Sequence, residues 1–211
     1  MQRCYLAGPD VFHPEMAALA AGKRDLCSRY GLQGCFPLDN EFNLAGEFNL
    51  AGESERAGES ERAGLDGRAA ALVIYRANIR LLESCDLLVA NLTPFRGVSA
   101  DVGTVFELGY MTARGKPVAA YSLDDASYIA RVQGAGLAGR TTTAGEQLND
   151  RDGQMVEDFG LGDNLMLAGA LETPDGVDHW VQRAGDWRKV ADHLAAFEIC
   201  LRRLTGRTAA G

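Results

Sequence analysis

The chain has 211 residues, of which 46% are hydrophobic and 24% are charged, and this composition predicts one soluble globular domain over residues 1–211. The formal net charge of −8 argues against a nucleic-acid partner, because binding a phosphate backbone needs a basic surface. No apolar run approaches the roughly 20 residues of a membrane span, and the N-terminus lacks the pattern of a signal peptide. We therefore predict a cytoplasmic protein with no membrane partner.

Strand and helix patterns alternate along the chain. A strand pattern over residues 3–7 ends at Gly8 and Pro9, and an amphipathic helix pattern follows from Pro14 to Tyr30. The later patterns are a strand at 33–38, a helix at 68–84, a buried strand at 86–91, a helix at 101–114, a strand at 117–121 and a helix at 186–204. This alternation predicts an α/β fold with a doubly wound parallel sheet, covered by helices on both faces. Ligands in such sheets bind at the carboxyl ends of the strands.

Two segments lack these periodicities. Residues 41–64 read EFNLAG twice and then ESERAG twice, and a period of six matches neither a helix nor a strand. We interpret residues 41–66 as an exposed loop insertion, because loops accept added residues at little energetic cost. Residues 122–154 are polar and rich in glycine, which predicts a flexible segment near the site.

Cysteine and histidine usage argues against a metal site. The five cysteines include no C-x-x-C pair, and most have apolar neighbours, as is typical of reduced thiols in a protein core. None of the three histidines has another metal-ligating residue at the spacing of a zinc site. We therefore expect no bound metal.

One charged residue interrupts an otherwise apolar helix pattern. Residues 102–113 are apolar, small or hydroxylated except for Glu107. A buried carboxylate without a partner costs several kcal/mol or becomes neutral, so such a residue is kept mainly where it performs chemistry. The alternative is a buried ion pair, for which Arg76, Arg80 and Arg96 are possible partners.

Five stretches of the chain form an ordered set. They are YLAGPDVF (5–12), PLDNE (37–41), IYRANIRLLESCDLLVANLTPFRG (74–97), SADVGTVFELGY (99–110) and FGLGDNLML (159–167). With its D-x-G-x-x-x-E-x-G-Y core, this set resembles the nucleoside 2-deoxyribosyltransferase family over most of the chain. The resemblance implies a flavodoxin-like fold and an enzyme that moves a 2-deoxyribosyl group between a deoxynucleoside and a free nucleobase.

The resemblance gives Glu107 the role of nucleophile. Its carboxylate would attack the anomeric carbon as the base leaves, and a second base would open the resulting glycosyl ester, so two inversions retain the β configuration. This route needs no cofactor. By resemblance, Tyr5 orients Glu107 and Asp101 binds a sugar hydroxyl. The residues alone leave open a core role for Tyr5 and a helix-capping role for Asp101.

Further residues are expected to bind substrate. They are Gly8, Asp10, Phe12, Asp39, Asn78, Phe95, Gly103, Asn164 and Met166. Gly103 lies one helical turn before Glu107, where its missing side chain leaves room for the sugar. Phe95 offers an aromatic face to the base, although ordinary loop packing would also explain it.

One position departs from the family pattern. Asn78 stands where well-known bacterial transferases carry an aspartate that shuttles a proton to the base, and an amide cannot carry that proton. Another group must therefore supply it. We favour Asp10, in the turn after the first strand, over Asp39 or water. A turn-stabilising role also explains Asp39.

The last motif bears on assembly and on competing functions. By resemblance, Asn164 and Met166 enter the site of a neighbouring subunit, which implies a homo-oligomer, a dimer or larger, with shared active sites. The sequence alone also allows a helix start capped by Asp163. Alternative functions are a hydrolase of 2′-deoxynucleosides or deoxynucleotides and a non-catalytic nucleotide-binding module. The negative charge of Asp10 would repel a phosphate, which disfavours a nucleotide substrate.

Overall fold

The structure is a computed structural model, and it describes residues 1–39, 67–141, 148–173 and 176–206. Within these ranges the strands are Gln2–Ala7 (β1), Leu32–Cys35 (β2), Leu87–Asn91 (β3), Val118–Ser122 (β4), Ala138–Thr141 (β5), Leu148–Asp150 (β6) and Trp180–Gln182 (β7). The α-helices are Met16–Arg29 (α1), Gly67–Glu83 (α2), Val102–Ala113 (α3), Tyr128–Gly134 (α4), Leu165–Leu171 (α5) and Val190–Thr205 (α6). The predicted insertion at 41–66 lies outside the described residues.

Five strands form one parallel sheet in the order β2-β1-β3-β4-β7, and β5 pairs with β6 in a separate antiparallel ribbon. The chain passes from β1 to β2 on one side and then returns to place β3 on the other side of β1. The topological switch point therefore lies between the carboxyl ends of β1 and β3, where open α/β sheets bind their ligands.

Helices cover both faces of the sheet. One buried cluster joins apolar residues of α1 and α6 to the side chains of Cys4 and Leu6. The other joins residues of α2, α3 and α5 to Tyr5 and Ala7. Successive side chains of a strand point to opposite faces, so β1 directs Tyr5 toward α3. This architecture confirms the predicted doubly wound, flavodoxin-like α/β fold.

The observed boundaries differ from the predicted ones where prolines and short elements intervene. Strand β2 ends at Cys35 because a 3-10 turn begins at Pro37, which has no N–H for a strand ladder. Helix α6 begins at Val190 rather than at residue 186. The segment 122–154, predicted as flexible, contains α4 and the β5–β6 ribbon among its described residues. No described helix has the length and apolar character needed to cross a membrane.

Candidate active site

A tyrosine and a glutamate from different elements meet beside the sheet. Strand β1 carries Tyr5, whose side chain is fully buried, and α3 carries Glu107, which is half-buried. The Tyr5 hydroxyl donates a hydrogen bond of 2.6 Å to Oε1 of Glu107. Tyr5 is thus both a core residue and the partner of the carboxylate.

The surroundings of Glu107 favour its protonated form more than water does. Burial raises the pKa of its carboxyl from 4.5 to about 7, and the nearby charge of Asp101 acts in the same direction. The hydrogen bond from Tyr5 opposes this shift by stabilising the carboxylate. Among the described residues no arginine pairs with Glu107, so the ion pair considered as an alternative is not formed. A carboxyl with this pKa is partly ionised at neutral pH and is available as a nucleophile.

Asp101 caps the helix that carries Glu107. Its Oδ2 accepts hydrogen bonds of 2.9 Å from the backbone N–H and from the hydroxyl of Thr104. This is the capping role that the sequence had left open, and sugar binding by Asp101 stays a prediction. A Cβ at position 103 would lie 3.1 Å from the same Oδ2, so Gly103 leaves this cap uncrowded.

Asp163 is buried and anchors the loop before Asp101. From the sequence alone, this residue was expected only as a helix cap. Asp163 accepts hydrogen bonds from the Ser99 hydroxyl and, at 3.0 Å, from the Ala100 backbone N–H. Arg131 lies 3.4 Å from Asp163 and forms a buried ion pair with it. The Asp-Asn pair in the GDNLML motif indicates a polar helix start, but the motif does not show which loop Asp163 would contact.

The cap of α5 is Asn164 rather than Asp163. The Asn164 Oδ1 accepts a hydrogen bond of 3.0 Å from the backbone N–H of Met166, and its amide group lies 3.2 Å from Glu157. The side chain of Met166 is 73% exposed. Neither hydrogen bond of the Asn164 side chain connects it to Tyr5 or Glu107 of the same protomer. Asn164 and Met166 therefore remain candidates for the site of a neighbouring subunit.

A cavity of about 320 Å³ opens at the topological switch point. The loops after β1 and β3 form much of its wall, and the rest comes from Trp187 and His193. Three of the predicted substrate-binding residues, Asp10, Phe12 and Phe95, line it, and the rings of Phe12 and Phe95 stack with centroids 5.4 Å apart. Neither Trp187 nor His193 belongs to a motif that predicts a site, and both are distant in sequence from the residues of the other walls. Tyr5 and Glu107 do not line this cavity.

Asp10 lies in the floor of the cavity as half of a buried ion pair. Its carboxylate binds the ammonium group of Lys23, and the two side chains are 1% and 0% exposed. A proton donor must be in its acid form, whereas an ion pair requires the carboxylate, so this arrangement does not favour Asp10 as the acid. The predicted repulsion of phosphate by Asp10 is also not supported, because Lys23 balances the charge.

The remaining candidates have separate positions. Gly8 adopts a φ of 155°, and a Cβ there would lie 2.8 Å from the Cβ of Asn91, so the close approach of the two chain segments requires glycine. Asp39 binds Arg24 and accepts a hydrogen bond of 2.8 Å from the backbone N–H of Phe36, which is the turn-stabilising geometry. Asn78 is half-buried on α2. Substrate contacts of these residues stay predictions.

The fold and the site together define an α/β protein with a tyrosine-held carboxyl group beside a parallel sheet and an aromatic cavity at the switch point. A sequence profile described as nucleoside 2-deoxyribosyltransferase matches residues 4–166. The chain belongs to this family.

One curated protein and two solved structures are similar to this chain. An uncharacterised protein of Schizosaccharomyces pombe is 32% identical over 204 residues, which cover 91% of this chain and 88% of that protein. The solved structure of a 2-desoxiribosyltransferase from Leishmania mexicana is similar with a TM-score of 0.57 at 28% identity, covering 96% of this chain and 98% of its own. The structure of a 2-deoxyribosyltransferase from Bacillus psychrosaccharolyticus has a TM-score of 0.36 at 20% identity, over 57% and 72% of the two chains.

Proposed function

We propose that this protein transfers a 2-deoxyribosyl group between nucleobases through a covalent ester on Glu107, with retention of the β configuration. The observation that carries this proposal is the 2.6 Å hydrogen bond from Tyr5 to a carboxyl whose pKa is about 7. Family membership supports the same reaction. Such an enzyme would serve deoxynucleoside salvage in the cytoplasm.

The proposed reaction has two balanced displacements. A Glu107 oxygen forms a bond to the anomeric carbon while the glycosidic C–N bond breaks, and the bond electrons leave with the base, which takes a proton from solvent. An incoming base then attacks the same carbon from the opposite face, loses its N–H proton to solvent and releases the carboxylate as the ester C–O bond breaks. Tyr5 acts throughout by holding the carboxylate in place through its hydroxyl.

The role of Tyr5 predicts a pH effect. The Tyr5 hydrogen bond lowers the pKa of Glu107, so Tyr5→Phe is expected to raise that pKa above about 7. The ionised fraction at pH 6–7 then falls, and the acidic limb of the pH profile of kcat/KM should move to higher pH. Activity should recover in part as the pH is raised further.

Helix α3 offers a matched control for this experiment. Tyr110 also donates a 2.6 Å hydrogen bond to a glutamate, Glu83, but on the exposed side of the helix. Tyr110→Phe should leave the acidic limb where it is in the wild type. An unmoved limb in Tyr5→Phe, or an equal movement in both variants, would contradict the assigned role of Tyr5.

Base exchange separates the proposed activity from the alternatives. The protein is incubated with deoxyguanosine, with and without free hypoxanthine, and the products are separated by chromatography. A transferase forms deoxyinosine only when hypoxanthine is present. Release of free deoxyribose at the same rate in both mixtures would show a hydrolase, and unchanged deoxyguanosine would show a binding module.

We also propose that two subunits share each site. The exposed Met166 beside Asn164 supports this, because burial against a symmetric partner would cover that apolar side chain. Glu107→Ala and Asn164→Ser are each expected to be nearly inactive, and serine keeps a capping oxygen for α5. After random subunit exchange, half of the dimers are mixed, and each has one site free of both lesions. Activity should return to about a quarter of wild type.

Subunit exchange itself needs verification in that experiment. Mass spectrometry of differently tagged variants under native conditions reports the mixed dimers directly. If mixed dimers form and activity stays at the level of the single variants, Asn164 does not complete a partner's site.

A further inference from the structure

One guanidinium group joins three loops near the candidate site. Arg131 lies on α4, within the segment 122–154 that the sequence predicts as flexible, and its side chain is 8% exposed. Its Nε donates a hydrogen bond of 2.7 Å to the Val98 carbonyl, and its Nη1 donates one of 2.7 Å to the Ala126 carbonyl. Its Nη2 donates to the Gly162 carbonyl. The loops before α3, α4 and α5 are therefore held together by one side chain.

The same guanidinium orients the buried carboxylate of Asp163. The Nη2 of Arg131 lies 3.4 Å from Oδ2 of Asp163, whose side chain is 1% exposed. That carboxylate accepts hydrogen bonds from the Ser99 hydroxyl, the Ala100 N–H and the Asn164 N–H. A lysine would supply the positive charge, but its ammonium group lacks the planar fork that binds carbonyl groups of three loops at once. The shape of the arginine side chain is therefore used here as well as its charge.

The anchored loop leads directly into the helix that carries Glu107. The Ala100 N–H is held by the buried carboxylate, and the next residue, Asp101, caps α3. A shift of the loop would move the start of α3, and Glu107 would move with it. Tyr5 would stay in place, because it belongs to β1, which pairs with β2 and β3. The distance between Tyr5 and Glu107 therefore depends on the position of this loop.

We propose that Arg131 is a positioning residue, which holds the start of α3 where Glu107 accepts the short hydrogen bond from Tyr5. This role deepens the proposed function and rests on it, since it assumes that Glu107 is the nucleophile. A hydrogen bond weakens steeply with distance and angle, whereas a small displacement changes the burial of a side chain little. Asp101 and Glu107 both lie on α3, so their separation is kept. Loss of the Arg131 anchor therefore acts on Glu107 chiefly through the Tyr5 hydroxyl.

Titration of the Glu107 carboxyl tests this role without any assay of activity. Carbon-13 NMR of protein labelled at its glutamate carboxyls follows the titration, and the signal that is missing in Glu107→Gln identifies the residue. The pKa of Glu107 should be about 7 in the wild type and higher in Arg131→Lys, because the hydrogen bond from Tyr5 that lowers it is weakened. In a Tyr5→Phe background, Arg131→Lys should produce no further shift.

Kinetics supply a second readout with a matched control. Arg131→Lys should lower kcat/KM for base exchange by roughly 100-fold, since a misplacement of about 1 Å can have an effect of this size. The control is Arg203→Lys: the Arg203 guanidinium also binds two backbone carbonyls, those of Asp178 and Trp180, but it joins α6 to β7 instead of the loop before α3. This variant should change neither kcat/KM nor the titration of Glu107.

A merely structural role would give a different result. Arg131→Lys would then lower the midpoint of urea unfolding and leave the pKa of Glu107 and kcat/KM unchanged, which would overturn the proposal. An equal pKa shift with and without the Tyr5 hydroxyl would also overturn it. If Arg131→Lys does not fold, Ser99→Ala removes one hydrogen bond from Asp163 and keeps the ion pair. It should raise the pKa of Glu107 by a smaller amount, and an unchanged pKa would overturn the proposal. The expected pKa shifts in a protein that exchanges no bases would overturn the proposed function alone.

Discussion

Replacing Glu107 with glutamine is expected to lower kcat/KM for base exchange by several orders of magnitude. The amide cannot form the glycosyl ester, and removal of a nucleophile typically has an effect of this size. A 2-fluoro-arabinosyl nucleoside should add one sugar mass to the wild-type peptide that contains Glu107 and leave the variant unlabelled. Turnover near the wild-type level in the variant, or a label on another residue, would refute the covalent mechanism.

Stability measurements supply the folding control for this variant. The pKa of Glu107 is about 7 in the folded protein and near 4.5 when unfolded, so the folded state holds the proton more tightly. The free energy of unfolding therefore loses a contribution as the pH rises from about 4.5 to 7. Glutamine does not ionise, so Glu107→Gln removes this loss. The free energy of unfolding of the variant minus that of the wild type should therefore be larger at pH 8 than at pH 4. A variant that is unfolded at both pH values would make its inactivity uninformative, and the labelling result would then decide.

Replacing Lys23 with methionine is expected to lower the free energy of unfolding by about 3–5 kcal/mol, because it leaves the buried carboxylate of Asp10 without its counter-charge. The two side chains are almost fully shielded from water, so solvent cannot take the place of the lost ammonium group. Urea unfolding at pH 7 measures the change.

A double variant distinguishes the loss of the ion pair from a general packing defect. Lys23→Met combined with Asp10→Asn removes both charges and keeps an oxygen that can accept the hydrogen bond from Asn91. This variant should recover much of the stability lost in Lys23→Met alone. If the single variant is as stable as the wild type, or if the double variant is no more stable than the single one, the ion pair is not the source of the effect.

The sequence predicted the fold because the fold depends on local patterns, whereas the pairing of Tyr5 with Glu107 was expected only from the family resemblance. The apolar run of β3 and the alternation along β1 can be read from the sequence. The alternation along β1 places Tyr5 on the face of the sheet on which α3 packs. Glu107 was conspicuous as the one charge in an apolar helix. A glutamate that forms an ordinary surface ion pair would not stand out in the sequence, since charged residues are common on protein surfaces.

The ion pair of Asp10 illustrates what the sequence could have shown and did not. Lys23 lies at helical spacing with Leu19 and Leu26, within the apolar stripe of α1, so its burial was foreseeable. Its partner was not, because a turn after β1 and a helix carry no pattern that specifies which charges meet. The position of Trp187 was even harder to predict. Trp187 lies in a loop after β7, and that three-residue strand is too short to give a periodic pattern.

Adjacent residues, Asp163 and Asn164, connect two parts of the protein. Asp163 accepts a hydrogen bond from the backbone of the loop that leads to Asp101, and Asn164 caps α5, the helix proposed to contact a neighbouring subunit. A displacement of α5 at a subunit contact would therefore pull directly on the capped end of α3, one helical turn and a half before Glu107. The starts of α5 and α3 are therefore joined by two neighbouring residues of one short loop.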